Sequence, residues 1–205
     1  MLYEYICANF KPGEPIFIDE LPAKSVSSLR VALKNLTDKG KLDRMCNGVY
    51  YLPYTTVLGT KGQVSIDTYI QKRFLLSNEK PQGFITGLLL ANRFGFTSQN
   101  PSCIEVCSNK ATTKQRKITV GKYNLIVYKP VAPITDKNIS SMQFLDLMST
   151  IDKYSEVTGK EFTDKLINFI NMTKVDFNNV KEYIDMYPDK VYKNICKGGL
   201  SNAIS

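Results

Sequence analysis

The stretch SVSSLRVALKNLTDKGKLDRMCNGVYYLP, residues Ser25–Pro53, reads as one helix, a tight exit and a small two-stranded hairpin. Val26, Leu29, Leu33 and Leu36 recur at helical spacing, which predicts one buried stripe. Ser25 stands where its hydroxyl can accept a bond from an otherwise unpaired early N–H. Gly40 fits the left-handed position at the helix exit. Lys41–Cys46 and Val49–Leu52 then bracket Asn47-Gly48, a pair suited to a type I′ turn, in which both central residues take positive φ. A capped helix followed at once by such a hairpin predicts the recognition helix and wing of a winged helix-turn-helix.

The opposite face of that helix carries Ser27, Arg30, Val31 and Lys34, spaced i, i+3, i+4, i+7. Arg can bond a guanine edge bidentately, Ser can reach bases or phosphate, and Lys can reach the backbone. Lys24, Ser25 and Ser28 at the helix start, with Arg44 and Asn47 on the hairpin, complete the expected DNA-contact set. The competing reading, a solvated face on an ordinary core helix, loses ground because the hairpin follows directly.

Around this stretch the 205-residue chain has room for one large or two small domains. It is 43% hydrophobic, enough for a packed core. No apolar run approaches the roughly 18 residues that would span a bilayer. Met1–Phe10 lacks the basic start and apolar centre of a signal peptide. Cys7, Cys46, Cys103, Cys107 and Cys196 are odd in number and form no CxxC, so reduced thiols and a cytoplasmic location are expected. The absence of histidine removes the commonest general base and most zinc sites. No cofactor and no metal are expected.

The net charge is +8, and it is unevenly placed. Residues 1–53 carry seven Lys/Arg against six Asp/Glu, residues 54–135 eleven against three, and residues 136–205 nine against ten. The basic excess therefore lies in the middle segment. Concentrated there, it suggests contact with phosphates, the alternative being a generic soluble surface.

Leu2, Tyr5, Ile6 and Asn9 predict a first helix ended by Lys11-Pro12-Gly13. Glu14–Ile18 can supply a short extended piece, and Ile18–Leu21 a single helical turn stopped by Pro22. Tyr50 and Tyr51 are expected to pack on the domain. Tyr54–Gln63 reads as a linker. Ile66, Tyr69, Ile70 and Phe74 predict a buried helical stripe, with Lys72 and Arg73 on its exposed side. Phe84–Phe94 reads as a second helix ended by Gly95, and Phe96–Ser102 as a loop. Cys103–Cys107 alternates as a strand, and Lys114–Val120 pairs with Tyr123–Lys129 around Gly121-Lys122. Ser140–Ser205 reads as all helix, with stripes at Phe144, Leu145, Leu147, Met148, Ile151 and at Phe162, Leu166, Ile167, Ile170. Whether these helices cover the sheet or form a separate bundle stays open. The expected fold class is α+β. A winged helix-turn-helix (1–53) and a linker (54–63) precede a mixed α/β domain (64–205), helical from about residue 140.

No catalytic constellation stands out. Phosphate-binding and dinucleotide-binding glycine patterns are absent. Glu105 on a strand beside basic residues suggests a nuclease carboxylate, but that chemistry wants Glu-x-Lys, and position 107 is Cys107. The middle segment offers only Asp67, Glu79 and Glu105 as carboxylates, few for magnesium. Cys103 and Cys107 share a strand face and read as small hydrophobes before a redox pair. The protein is not expected to be an enzyme.

GLLLANRFGFTSQNP (Gly87–Pro101), IEVCSNK (Ile104–Lys110), the Lys/Arg-rich strand pair and ITDKN (Ile134–Asn138) together resemble the AbiEi-like antitoxins of bacterial type IV toxin–antitoxin systems. KNLTDKGKLDRMCNGVYYLP (Lys34–Pro53) is similar to that family's basic wing and Gly-Val-Tyr ending, and YIDMYPDKVYKNI (Tyr183–Ile195) to its helical Tyr-Pro segment. The order of these segments, over most of the chain, carries the resemblance. It implies a winged helix that binds double-stranded DNA at its own operator and represses its own operon. It also implies a second domain that counteracts a nucleotidyltransferase-like toxin. Arg30, Lys34 and Arg44 become operator contacts by this likeness, and Arg93, Lys110, Lys114, Arg116, Lys117 and Lys122 a second basic surface. The nearly neutral winged segment departs from the pattern, so operator affinity would draw on the middle domain or on two copies at an inverted repeat. The alternatives are a stand-alone regulator whose second domain binds a ligand or protein, a DNA-acting enzyme, and a helix-turn-helix used for protein contact only.

Overall fold

The computed structural model describes residues 2–23 and 25–204. The chain divides into two compact units, Met1–Lys72 with Val120–Lys122 and Arg73–Thr119 with Tyr123–Ser205.

In the first unit, α1 (Leu2–Asn9) buries Ile6. Strand β1 (Ile16–Phe17) leads into a 3-10 turn, Ile18–Glu20, where the Glu20 carboxylate accepts from the Phe17 N–H at 3.0 Å. Helix α2 (Val26–Asp38) starts at Ser25, whose hydroxyl accepts from the Ser28 N–H at 3.2 Å. It ends at Gly40, with φ of 67°. Strands β2 (Asp43–Cys46) and β3 (Val49–Tyr51) follow, and the sheet order is β1-β3-β2 with both pairings antiparallel. One core gathers Ile6, Ile16, Leu21, Leu29, Leu33, Leu42, Tyr50 and Leu52.

Three details differ from the sequence expectation. Val26 is 57% exposed, because a side chain at the first helical position leans back past the N-terminus and misses the core. The stripe is therefore Leu29 and Leu33, with Leu36 at its margin. The β2–β3 turn is not type I′. Gly48 takes φ of 77° but Asn47 stays outside the positive-φ region, and the register slips between Arg44 and Cys46. The extra residue, Met45, is accommodated as a bulge, which lets one left-handed residue close the hairpin. A two-residue turn with both central φ positive occurs instead at Asn78-Glu79 (48° and 65°), between β4 (Leu76–Ser77) and β5 (Lys80–Pro81) of the second unit.

The expected linker is structured, and the first unit runs past Pro53 to Lys72. Thr55 bridges Lys61, the Thr56 N–H donates to the Thr60 carbonyl at 2.8 Å, and the Lys61 ammonium meets Asp43 at 2.6 Å. Gly62 lies so close to the Tyr54 ring that any Cβ there would overlap it. Helix α3 (Ile66–Ile70) then passes into a π-turn, Gln71–Leu75. Ile66, Tyr69, Ile70 and Phe74 are buried as their spacing predicts. Lys72 and Arg73, expected on the exposed side, are half-buried. The Lys72 ammonium lies 2.8 Å from Glu14, 2.7 Å from the Pro15 carbonyl and 3.2 Å from Glu20, with the Phe10 ring centroid 4.6 Å away.

The second unit holds a four-stranded sheet, order β6-β7-β9-β8, from β6 (Gly83–Thr86), β7 (Ile104–Ser108), β8 (Gln115–Val120) and β9 (Tyr123–Tyr128). Strand β7 pairs antiparallel with β6 and parallel with β9. The expected helix over Phe84–Phe94 is a strand followed by the short helix α4 (Gly87–Arg93). An apolar run of this kind suits either state. The pairing of Gly83–Thr86 with Glu105–Ser108 decides it, and Gly87, with φ of 64°, turns the chain from strand to helix.

Among the described residues, the helices α5 (Ile139–Tyr154), α6 (Gly159–Thr173), α7 (Phe177–Tyr183), α8 (Lys190–Lys197) and α9 (Ser201–Ile204) complete the unit. They are not a separate bundle. Met142 of α5 shares a cluster with Phe84 and Cys107 of the sheet, and the Gln143 amide donates to the Ile85 carbonyl at 3.0 Å. The other face of α5 packs with Leu90, Phe96, Phe162, Phe169, Val180 and Ile195 in one core. On α6 the buried stripe is Phe162, Leu166 and Phe169; Ile167 is exposed, which corrects the predicted stripe. Among the described residues no helix is long and apolar enough to cross a membrane.

Candidate nucleic-acid interface

Leu29 and Leu33 anchor α2 to the core of the first unit, which turns Ser27, Arg30, Val31 and Lys34 outward; all four are exposed. The β2–β3 turn brings Arg44 and Asn47 toward the same side. Arg30 and Lys34 from α2, Arg44, Asn47, Gly48 and Tyr50 from the hairpin, and Ile18 line one open groove of 440 Å³. Among the described residues that line it, none is acidic.

Arg44 is held in place within this groove. Its Nε donates to the Cys46 carbonyl at 3.2 Å, and its Nη2 donates to Asn47 Oδ1 at 3.0 Å. A guanidinium carries five donors, so a fork oriented by its own turn still has donors for an outside acceptor. Three cationic side chains around an open concavity suit a polyanion, whose phosphates they can reach without burying unpaired charge.

The serines divide by role. Ser25 and Ser28 serve each other: the Ser25 hydroxyl donates to Ser28 Oγ at 2.9 Å, and the Ser28 hydroxyl donates to the Ser25 carbonyl at 2.9 Å. Both are committed to the helix start, which leaves Ser27 as the outward hydroxyl. Lys24 lies outside the described residues. Asn35, one turn beyond Val31, is exposed on this side of α2 and was not in the sequence set. Its spacing of four residues from Val31 was the available signal.

The six residues of the expected second basic surface are spread over separate elements. Arg93 ends α4, Lys110 follows β7, and Lys114 precedes β8. Arg116 and Lys117 are adjacent on β8 and so point to opposite faces, while Lys122 sits in the β8–β9 turn. Each of the six side chains is exposed.

The carboxylate suspected of nuclease chemistry is engaged elsewhere. Glu105 accepts from the Tyr128 hydroxyl at 2.8 Å, and the Tyr154 hydroxyl lies at 3.5 Å. Desolvation, then the Glu105 charge, pushes the Tyr154 phenol up from its ordinary range. Among the described residues no group of three His, Cys, Asp or Glu is placed to hold a metal ion. Cys107 is buried, and desolvation pushes its thiol up, away from thiolate reactivity. All five cysteines are free.

Asp146 of α5 faces this network. Desolvation raises its pKa from 3.8 to about 6, with the Glu105 charge adding and a hydrogen bond from the Thr86 hydroxyl opposing. A carboxyl whose folded pKa is raised contributes stability that is complete below its unfolded value and lost as pH rises through the folded one. Asp146→Asn is therefore expected to stabilise by about 3 kcal/mol near pH 8, with the two melting curves converging by about pH 4. Thermal melts of both proteins across that range check it.

These elements define a mixed α+β protein with a cationic groove on its N-terminal unit. No protein-family model matches the chain, and no curated protein sequence does. Among solved structures it is similar to the Rv2827c protein from Mycobacterium tuberculosis, at a TM-score of 0.50 and 9% identity, over 98% of this chain and 77% of that one. At that identity the likeness is one of fold.

Proposed function

We propose that the first unit is a winged helix-turn-helix that binds double-stranded DNA, with α2 as the recognition helix and the β2–β3 hairpin as the wing. One observation carries this reading: Arg30 and Lys34 of the helix and Arg44 and Asn47 of the hairpin line a single open groove, and no described residue lining it is acidic. The order helix, strand, single turn, helix, hairpin supports it. In the fuller reading, which rests on the resemblance in sequence, the protein is a cytoplasmic type IV antitoxin that represses its own operon, without catalysis, and counteracts a nucleotidyltransferase-like toxin.

The DNA reading is tested with the full chain on a duplex selected from a random pool and on a scrambled duplex. Preference for the first is expected, with affinity falling steeply as salt rises. Arg30→Ala is expected to cost about tenfold on the selected duplex and little on the scrambled one. Lys114→Ala and Lys117→Ala are expected to weaken both alike. Specific binding untouched by Arg30→Ala would refute the groove assignment. The antitoxin reading is tested by growth rescue against the neighbouring reading frame. Because the first unit runs to Lys72, the triple alanine variant at Arg30, Lys34 and Arg44 is the cleaner way to remove DNA binding than truncation. Rescue by that variant would separate neutralisation from repression.

One feature favours a second reading, a stand-alone regulator whose second unit takes a ligand. A 400 Å³ pocket lies between the end of α5, the start of α6 and α8, with Ile151 and Phe162 as apolar wall and Asn194 and Lys197 as polar groups.

A further inference from the structure

We infer that Val31 reads the C5-methyl group of a thymine in the major groove. This inference rests on the reading of α2 as the recognition helix and names one base that it selects.

The argument starts from the helix itself. An α-helix turns about 100° per residue. Leu29 and Leu33, which fix α2 to its core, each lie two residues from Val31, on either side of it in sequence. Val31 therefore sits diametrically opposite the mean direction of both anchors. In a helix laid in a groove with its anchors toward the protein, the residue opposite the anchors points at the groove floor. Arg30 and Lys34 lie to one side of that line, toward the hairpin, with Arg44 and Asn47 beyond them.

Val31 is 61% exposed. A branched apolar side chain there adds nothing to the core and is a poorer helix former than alanine. The floor of the major groove offers hydrogen-bonding groups at every base pair and one apolar group, the thymine methyl. A valine at the deepest position can gain from that methyl alone. Cytosine carries only hydrogen at C5, so the same valine loses that contact when cytosine takes the place of thymine. Ser27 and Asn35, each four residues from Val31, flank it along the axis with groups suited to neighbouring polar edges.

The probe is the duplex that full-length protein selects from a random pool, with each thymine replaced in turn by deoxyuridine, which lacks only the methyl. At one or two positions, affinity is expected to fall about fourfold, the effect of losing one buried methyl contact. Val31→Ala is expected to bind the parent duplex as weakly as the wild type binds the uracil duplex, and to be indifferent to the replacement. Val31→Thr, which keeps a methyl, should retain part of the discrimination. Val31 is exposed, so both variants are expected to melt with the wild type. A selected duplex with no thymine that responds, or discrimination that survives Val31→Ala, would overturn the inference and leave the DNA reading standing. A change of oligomeric state in Val31→Ala with flat uracil scanning would overturn it in favour of a contact between copies. Failure of any duplex to be enriched would bring down the DNA reading itself.

Discussion

Gly83→Ala is expected to cost the second unit about 3 kcal/mol or more, the upper end for overpacking because the opposing atoms cannot yield. A Cβ at Gly83 would overlap the carbonyl oxygens of Phe74 and Cys107. Neither oxygen is free to retreat. The Cys107 strand is paired with β6 from Gly83↔Ser108 to Thr86↔Glu105, and the Phe74 carbonyl accepts from the Ser108 hydroxyl at 2.6 Å. On either side, the Gln82 N–H donates to the Leu75 carbonyl and the Asn109 N–H to the Gln82 carbonyl, both at 2.8 Å. Room for one methyl group would have to come from separating β6 from β7. A melting temperature lower by about 10 °C or more is expected, with loss of near-ultraviolet signal from the unit's tyrosines. Gly121→Ala, where nothing lies within 4 Å of the added Cβ, is the control for backbone strain without crowding. A Gly83→Ala protein that melted with the wild type would mean that β6 does not lie against β7 as described.

Lys72→Met is expected to destabilise the first unit by about 2–3 kcal/mol. The substitution keeps the aliphatic stem against Phe10 and Phe17 and removes the charge, so the loss reports the ammonium alone. That ammonium ties the end of the unit to its beginning. It meets two carboxylates, Glu14 and Glu20, and donates to the Pro15 carbonyl, with only 23% of its side chain exposed. Without it the two carboxylates face each other with no counter-charge between them. Glu14 supplies a second readout. Burial disfavours its charge, yet hydrogen bonds from the Lys11 N–H and from Lys72 hold its pKa below the ordinary 4.5. A carboxylate with a lowered folded pKa contributes stability above its unfolded pKa and loses it as pH falls through the folded value. The difference between wild type and Lys72→Met is therefore expected to be full at neutral pH and to narrow below about pH 4. A gap that stayed constant with pH would show that Lys72 acts through packing and not through its charge.

The two residues also show why the middle of the chain was hard to read from sequence. Lys72 shares its local pattern with any exposed lysine beside a buried stripe. Its partners are 52 to 58 residues away, and no short-range rule finds them. Phe84–Thr86 presents an apolar run that a helix and a buried strand accept equally, and only its pairing with β7 selects the strand. Asp146 on α5 is desolvated by the packed unit and feels the charge of Glu105 on β7, so its raised pKa belongs to the packed unit and to neither element by itself.

Where the sequence read correctly, the causes were local. Ser25 caps α2, Gly40 ends it, Gly48 and Gly121 close two hairpins, and Phe144–Ile151 bury one face of α5, each through interactions within about four residues. Local rules also chose the face of α2 that stands exposed, because Leu29 and Leu33 left Ser27, Arg30, Val31 and Lys34 no other direction. The amino-acid sequence by itself thus determined the helix, its outward residues and the existence of a hairpin after it. Tertiary structure decided the rest: that Arg44 and Asn47 share a groove with Arg30 and Lys34, and that the former linker belongs to the first unit. Backbone preference acts over a few residues, whereas a groove, a pairing or a buried charge depends on chain segments that only folding brings into contact.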